Sequence, residues 1–560
     1  MVFAEDGRDG ENISPGLYFA STAEGTAVRR RGLVDIVPSF NGEPLPDTYS
    51  ATPSLLKIDT DKGSVSLVFD TANTLRISGK GVGVRLYVKI PFLSMMGAQL
   101  LPSGVVDFNL RSIQPGGGVF FFKQLKGNIT LDAKFDPLLN GPEYIKAELL
   151  PDESGEFETA GYSMSPDEWG YIDYKPIDDV IAETDADFSA FIAKLPAVGE
   201  SWRELARICG YTLWIHLKEK TSMPEYNHLT AGAVYTNRLL NGSAVSFEQP
   251  LYAMTLADAA DAVRLIGNAF GYMRGGMLPT NVSNAEVFYQ AFPPVHGAAL
   301  GAIGERGLES VGADVLRKLY DDMAEHYTWW VNTHSRKPGH FSYNERSEYA
   351  FKGSSYGTLP FPLEAPDLYA YLIRYAEALE TLAGAVGNGE ESKWSAVSRE
   401  LTRSLLELWD GERFVCKDAL SGQTHATGSV FAYIPVILGK NLPADVLAKL
   451  VAGLACEETF LGAYGLRSES KKSPYYSPEA AGRGAVDAAL QLLLIGGLFD
   501  AGALDEAAGA AERFLSAARQ FGARDMFVPE GGQPIRRPGD DYNALGSAAV
   551  LYLAHKLHTL

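Results

Sequence analysis

The chain has 560 residues and a mass of 60.6 kDa, with 46% apolar and 21% charged residues. Its net charge of −20 argues against a nucleic-acid binder, which needs a basic face for phosphates, and against docking on anionic lipid. The 27 Phe, 27 Tyr and 7 Trp exclude disorder. Three cysteines, at 209, 416 and 456, are too few and too scattered for a disulfide framework or a zinc cluster.

The opening stretch MVFAEDGRDGENISPG has neither a basic leader nor an apolar core, and no run of about 18 apolar residues follows. The expectation is a cytoplasmic protein. Up to residue 177 the pattern is strand-like. GSVSLVFD (63–70), GVGVRLYVKI (81–90), GVVDFNL (104–110), GGGVFFFK (116–123) and YIKAELL (144–150) alternate in part and are punctuated by Gly, Pro, Asn and Asp. Their spacing predicts a β-sandwich over 1–177. DDVIAETDADFSAFIAKLP (178–196) has helical periodicity, and 178–199 is predicted to be a linker helix.

Beyond 200 the strand signal fades. Helices are predicted at 200–217, 228–240, 250–272, 294–304, 308–331, 366–386, 391–409, 427–438, 443–454, 482–501, 503–520 and 542–558. That is twelve helices, or six hairpins. Segments such as AVDAALQLLLIGGLF (485–499) are apolar all round, which means burial on both sides. An inner ring of helices inside an outer ring produces that pattern. Loops 272–294, 332–364 and 463–482 are longer than connection requires.

No Walker loop, GxSxG elbow or HExxH motif is present. His334 and His340 stand six apart without ligand spacing, so no metal and no cofactor is expected. What remains is a set of loops rich in aromatic and carboxylate residues. Sugars need that combination: aromatic faces over C–H surfaces, and two carboxyls across a glycosidic bond.

Four stretches carry a family resemblance. FEQPLYAMTLAD (247–258) is one. GGMLP with QAFPPVHGAAL (275–279 and 290–300) is the second, and APDLYAYLIRYAEALETLAG (365–384) the third. GRGAVDAALQLLLIGGL (482–498), flanked by PYYSPEA and RDMFVPEGGQP (524–534), closes the series. Their order and spacing resemble the six-hairpin (α/α)6-barrel glycosidases, in particular glycoside hydrolase family 63 and its bacterial α-glucosidase and mannosylglycerate hydrolase relatives. The resemblance implies a mainly α protein: an N-terminal all-β domain followed by an (α/α)6 catalytic barrel over 200–560. It also implies a general acid at Glu345, in the place of the family's Asp, with Glu348 as a nearby alternative. Asp525 takes the place of the family's general-base Glu, four residues before Pro529. Glu248 stands where the family has a substrate-binding Asp, and Phe247 where it has the preceding Trp. Each of the three carboxylates thus differs from the family's by one methylene.

Tyr343, Tyr349 and Phe351 are expected to wall Glu345 and keep it protonated. Arg346 opposes this if it points inward, and Arg524 would hold Asp525 ionised. Tyr289, Gln290 and Tyr343 are candidate partners of sugar hydroxyls, and Arg483 contacts substrate or pairs with a carboxylate. Blander readings compete with each of these. Glu345 also fits a solvated loop, and Glu248 a favourable charge on a helix start. Glu530 and Asp541 are fallback bases. Trp329 and Trp330 fit core or rim better than a sugar platform.

The expected function is a glycoside hydrolase, inverting and exo-acting, whose partner is a short α-linked oligosaccharide or small glycoside. Nucleic-acid and membrane partners are not expected, and oligomeric state is left open. Two alternatives stand beside it. One is a polysaccharide lyase or sugar epimerase on the same toroid, drawing on Arg346, Arg483, Arg536 and Arg537. The other is a non-catalytic carbohydrate-binding protein.

Overall fold

Alternation in the first stretch does what a half-buried strand requires: Val84 and Leu86 are buried while their neighbours Arg85 and Tyr87 are only partly covered. The computed structural model describes residues 2–4, 16–19, 34–71, 74–88, 97–109, 119–138, 141–163, 174–218, 234–236, 244–282, 287–304, 307–349, 353–535 and 543–560. The chain divides into two compact units, the first running to Ala190 and the second built from Phe191 onward.

The first unit is a sandwich of two antiparallel sheets. One runs in the order Val2–Ala4, Gly16–Phe19, Val34–Phe40, Gly83–Val88, Gly141–Leu150, Asn128–Asp136, with Glu43–Pro44 paired on Val34–Phe40. The other runs Gly97–Leu100, Val105–Asn109, Val119–Lys126, Glu156–Ser163, Thr74–Lys80, Ser64–Thr71, Leu56–Asp59, Thr48–Ala51. Both contribute to one apolar core, Val84, Leu86 and Ile145 from the first and Ile77, Phe108 and Phe122 from the second.

The second unit is helical. In chain order its helices are α2 (Arg203–His216), α3 (Glu248–Ala253), α4 (Ala259–Phe270), α5 (His296–Gly304), α6 (Ala313–His334), α7 (Pro366–Val386) and α8 (Glu391–Leu406). A 3-10 helix (Val430–Asn441) follows, then α9 (Ala444–Ala455), α10 (Ala488–Ala501), α11 (Leu504–Phe521) and α12 (Ala544–His558). α1 (Ile177–Ile192) precedes them and contains the boundary between the units.

Packing sorts the helices into two rings. α3, α5, α7, the 3-10 helix, α10 and α12 each touch the next, and α12 returns to α3. Outside them lie α2 on α12, α4 on α3 and α5, α6 on α7, α8 on α7, α9 on the 3-10 helix, and α11 on α10 and α12. This is the (α/α)6 barrel. The inner helices are apolar on every face because both faces are covered: α10 is buried from Ala488 through Phe499. Where α5 crosses α7, a Cβ on Gly297 would sit 2.3 Å from the Tyr375 amide nitrogen, so only glycine permits the approach.

Three predicted helices need correction. Within 228–240, the described Val234–Tyr235 is a strand paired with Leu217–Lys218. The predicted helix 250–272 is two helices, because Asp258 caps α4 by accepting the Asp261 amide at 2.9 Å. The predicted 427–438 helix winds as a 3-10 helix, with Pro435 inside it. Among the described residues no helix is long and apolar enough to cross a membrane.

Candidate active site

The six inner helices start at Glu248, His296, Pro366, Val430, Ala488 and Ala544. Contacts link several of these starts. Phe247 meets Phe292 edge-on at 5.7 Å, joining the starts of α3 and α5. The Ser354 and Ser429 hydroxyls are 3.1 Å apart, and the Val430 amide donates to the Ser468 carbonyl at 3.1 Å. The Ala488 amide donates to the Asp525 carbonyl at 2.8 Å. The inner N-termini therefore gather at one end of the barrel, where the positive ends of the helix dipoles favour oxygen-rich ligands. Every sequence-predicted site residue lies in a segment feeding one of these starts, or is itself the first residue of the helix. Phe247 and Glu248 belong to α3, Tyr289 and Gln290 to α5, Tyr343, Glu345 and Glu348 to α7, Arg483 to α10 and Asp525 to α12.

Glu248 and Asp525 come together around Tyr252. Its hydroxyl donates to Glu248 Oε2 at 2.9 Å. Burial pushes the Tyr252 phenol well up, and the charges of Glu248 and Asp525 push it further. Asp525 is held by backbone on both sides, its carbonyl at the start of α10 and Met526–Phe527 paired with Val486–Asp487.

The acid loop separates its two glutamates. Glu345 is exposed and accepts the Ser347 hydroxyl at 2.5 Å. Glu348 is buried, 3.3 Å from His334 Nε2, and also accepts the Asn344 amide. The aromatic wall expected around Glu345 is turned elsewhere. Tyr343 is fully buried and donates to Asp367 Oδ2 at 2.9 Å, while Tyr349 stacks on Phe361. Arg346 donates to the Gly357 carbonyl at 2.7 Å and to that of Leu359 at 3.2 Å. Phe351, Arg536, Arg537 and Asp541 lie outside the described residues.

The remaining candidates divide between exposed and engaged groups. The Tyr289 hydroxyl donates to the Tyr272 carbonyl at 2.8 Å. Arg483 is exposed, and its charge helps to hold down the Glu469 carboxyl. Glu530 is paired with Arg467. Trp330 is fully buried and donates to His326 Nε2 at 3.1 Å, whereas Trp329 lines a narrow cavity with Phe247 and Gln290.

Glu469 and Asp367 are two of the buried carboxyls at this end to which the sequence assigns no role. Glu469 accepts hydroxyls from Ser355 at 2.8 Å and Ser473 at 2.5 Å, and burial raises its pKa. It ties the α7 segment to the α10 segment. Asp367, the second residue of α7, is pushed up to about 7 by burial, against the hydrogen bond from Tyr343. The sequence signal was the Pro-Asp pair opening the helix; its burial is set by tertiary packing.

Asp367 carries a pH prediction. Its folded pKa lies above the ordinary 3.8, so the folded state holds the proton more tightly. Its contribution to stability is complete below about pH 4 and is lost as the pH rises through about 7. At 1.36 kcal/mol per pH unit that loss is at most about 4 kcal/mol. Asp367→Asn should therefore gain stability relative to wild type between pH 4 and 8, read as the difference in urea midpoints. A difference that stays constant over that range would refute the assignment.

A closed double ring of helices with carboxylates, tyrosines and aromatic rings at the inner N-termini is the architecture of a six-hairpin glycosidase. Residues 272–543 match the family model of the mannosylglycerate hydrolase MGH1-like glycoside hydrolase domain, just under half of the chain. Residues 272–543 thus resemble a glycoside hydrolase domain, and the chain is a glycosidase acting on carbohydrate. It is similar in fold to a GH63 mannosylglycerate hydrolase from Thermus thermophilus solved with glucose. That match has 18% identity and a TM-score of 0.52 over 62% of this chain and 99% of the other. The same hydrolase in complex with Tris gives 16% and 0.52, again over 62% and 99%. With Tris and D-glycerate it gives 17% and 0.50, over 59% and 98%. No curated protein matches the chain by sequence.

Proposed function

We propose that this chain cleaves a short α-linked oligosaccharide or small glycoside by exo action with inversion, in the cytoplasm. Residues 200–560 form the catalytic domain, 1–177 the β-sandwich domain and 178–199 the linker. Asp525 is the general base that activates water, and Glu345 the general acid that protonates the leaving oxygen, with Glu348 the alternative acid. Phe247, Glu248, Tyr289, Gln290, Tyr343, Glu348 and Arg483 form the sugar-binding surround.

The observation that carries this reading is the convergence of Glu248 and Asp525 on Tyr252 at the inner N-termini. A carboxylate beside a second carboxylate and a phenol is placed to accept a proton from water. Glu345 is on a loop of the same end, and an exposed loop acid can close on substrate. Inversion requires the two carboxyls to stand about 6.5–9.5 Å apart with the water between them. The fold neighbour bound to D-glycerate makes sugars linked to a small carboxylate-bearing aglycone a natural part of the substrate panel.

The test is a digest followed by NMR of α- and β-linked gluco-, manno- and galacto-disaccharides and of glucosyl- and mannosyl-glycerate. One α-linked substrate should give product of inverted anomeric configuration before mutarotation. Release of the retained anomer would overturn the inverting mechanism, and cleavage of only β-linked substrates would overturn the linkage.

A further inference from the structure

The narrow cavity lined by Phe247, Gln290, Phe292, His296, His326 and Trp329 contains two histidines of opposite character. His326 is fully employed: its Nδ1 is 2.8 Å from the Gly276 carbonyl, and its Nε2 accepts from Trp330 at 3.1 Å. A neutral imidazole with one donor and one acceptor meets both partners. His296 is different. It is the first residue of inner helix α5 and is 2% exposed, yet neither Nδ1 nor Nε2 has a hydrogen-bond partner. Rings surround it, with Phe270 at 5.0 Å, His326 at 6.1 Å and Tyr375 at 6.2 Å. Burial pushes its pKa down to about 3, with His326 adding to the effect, so protonation cannot satisfy it at neutral pH.

A buried polar side chain left unpaired is costly, and native structures keep one mainly where a ligand or water completes it. The walls of this cavity are mostly aromatic and aliphatic, and its polar groups come from Ser246, Gln290, His326 and the unpaired imidazole of His296. That combination suits a sugar carbon bearing a hydroxyl, with C–H groups against Phe247 and Trp329 and the hydroxyl on a His296 nitrogen. A hydroxyl both donates and accepts, so it fits whichever nitrogen faces it. The cavity has room for about one water-sized group.

We propose that the cavity between Phe247 and His296 is a subsite for a single glycone hydroxyl or hydroxymethyl arm, and that His296 is the positioning residue that selects it. The inference deepens the proposed function and rests on it for the identity of the ligand as a sugar.

The experiment uses the full-length chain and measures binding, which separates it from turnover. Methyl α-D-glucoside, methyl α-D-mannoside and their 2-, 3-, 4- and 6-deoxy forms are titrated by calorimetry into wild type, His296→Phe and His296→Gln. For wild type, one deoxy position should weaken binding by at least about tenfold, as expected when a polar group of the site loses its partner. In His296→Phe the parent sugar should weaken by a similar factor, and the same deoxy form should bind as well as the parent. His296→Gln should restore part of the discrimination. Should His296→Phe fail to fold, the comparison of wild type with His296→Gln still decides. Equal discrimination among the deoxy forms in wild type and variants would overturn the proposal, as would absence of binding by every glycoside. Hydrolysis without this pattern would remove the subsite alone. This pattern without any hydrolysis would remove the hydrolytic reading and leave the subsite.

Discussion

Asp525→Asn should lower kcat by about 10²- to 10⁴-fold on every substrate, whatever its leaving group. Asn keeps the shape of the side chain and removes its capacity to take a proton from water. The backbone around it, fixed by the Ala488 amide and by pairing with Val486–Asp487, should hold its place. Glu345→Gln should behave differently. Its loss should be of the same order on an ordinary glycoside, whose alkoxide must be protonated as it leaves. On a glycosyl fluoride, whose leaving group needs no proton, most of the activity should remain. Steady-state rates for the two variants on both substrate types distinguish base from acid. If Glu345→Gln is nearly silent while Glu348→Gln shows the leaving-group dependence, the acid is the buried glutamate held 3.3 Å from His334. Loss of activity on the fluoride equal to that on the glycoside would remove Glu345 from the acid role.

The residues that could be found in the sequence are those whose roles follow from local pattern. Val84 and Leu86 alternate with Arg85 and Tyr87, and the strand follows. The apolar run at 485–499 has no polar face, and burial on all sides follows. Residues 250–272 had a readable break in Asp258 with Asp261 three residues on, a capping signal outweighed by the apolar run around it. Val234–Tyr235 had no such signal. The Gln249 amide clasps the Tyr235 backbone, accepting its N–H at 2.9 Å and donating to its carbonyl at 2.7 Å. That contact spans fourteen residues, and no periodicity reveals it.

The site divides the same way. Motif order placed nine residues at the inner helix starts, because spacing along the chain determines which segment feeds which helix. Spacing does not determine direction. Tyr343 belongs to the acid loop, yet its hydroxyl serves Asp367; two glutamates three residues apart in one loop end in opposite environments. His296 and Glu469 carry no local signature at all. One is notable for what it lacks and the other for a hydroxyl brought from 114 residues away.

Arg467→Met should destabilise the barrel by about 3 kcal/mol, the order expected when a buried charged donor is removed from several acceptors. The guanidinium is 2% exposed and joins two of the segments that build the site. Nη1 donates to the carbonyls of Leu461 at 2.8 Å, Glu457 at 3.0 Å and Thr459 at 3.3 Å. Nε and Nη2 take Glu530, just past Pro529, as a fork on one carboxylate oxygen. Methionine fills much of the volume but leaves the acceptors bare. Arg467→Lys should be nearly as harmful, because a single ammonium cannot reach both the turn carbonyls and Glu530. The backbone of Arg467 also bridges to Val486, the residue whose other partner is Phe527. Loosening it should therefore tilt the strand that presents Asp525, so kcat should fall more than tenfold even under conditions where the variant remains folded. Denaturant midpoints and steady-state rates on the same preparation separate the two effects. Glu530→Gln keeps the hydrogen-bond acceptor without the charge and should cost far less in both. A Glu530→Gln variant as inactive as Asp525→Asn would instead mean that Glu530 is the base and Arg467 the cation that keeps it ionised.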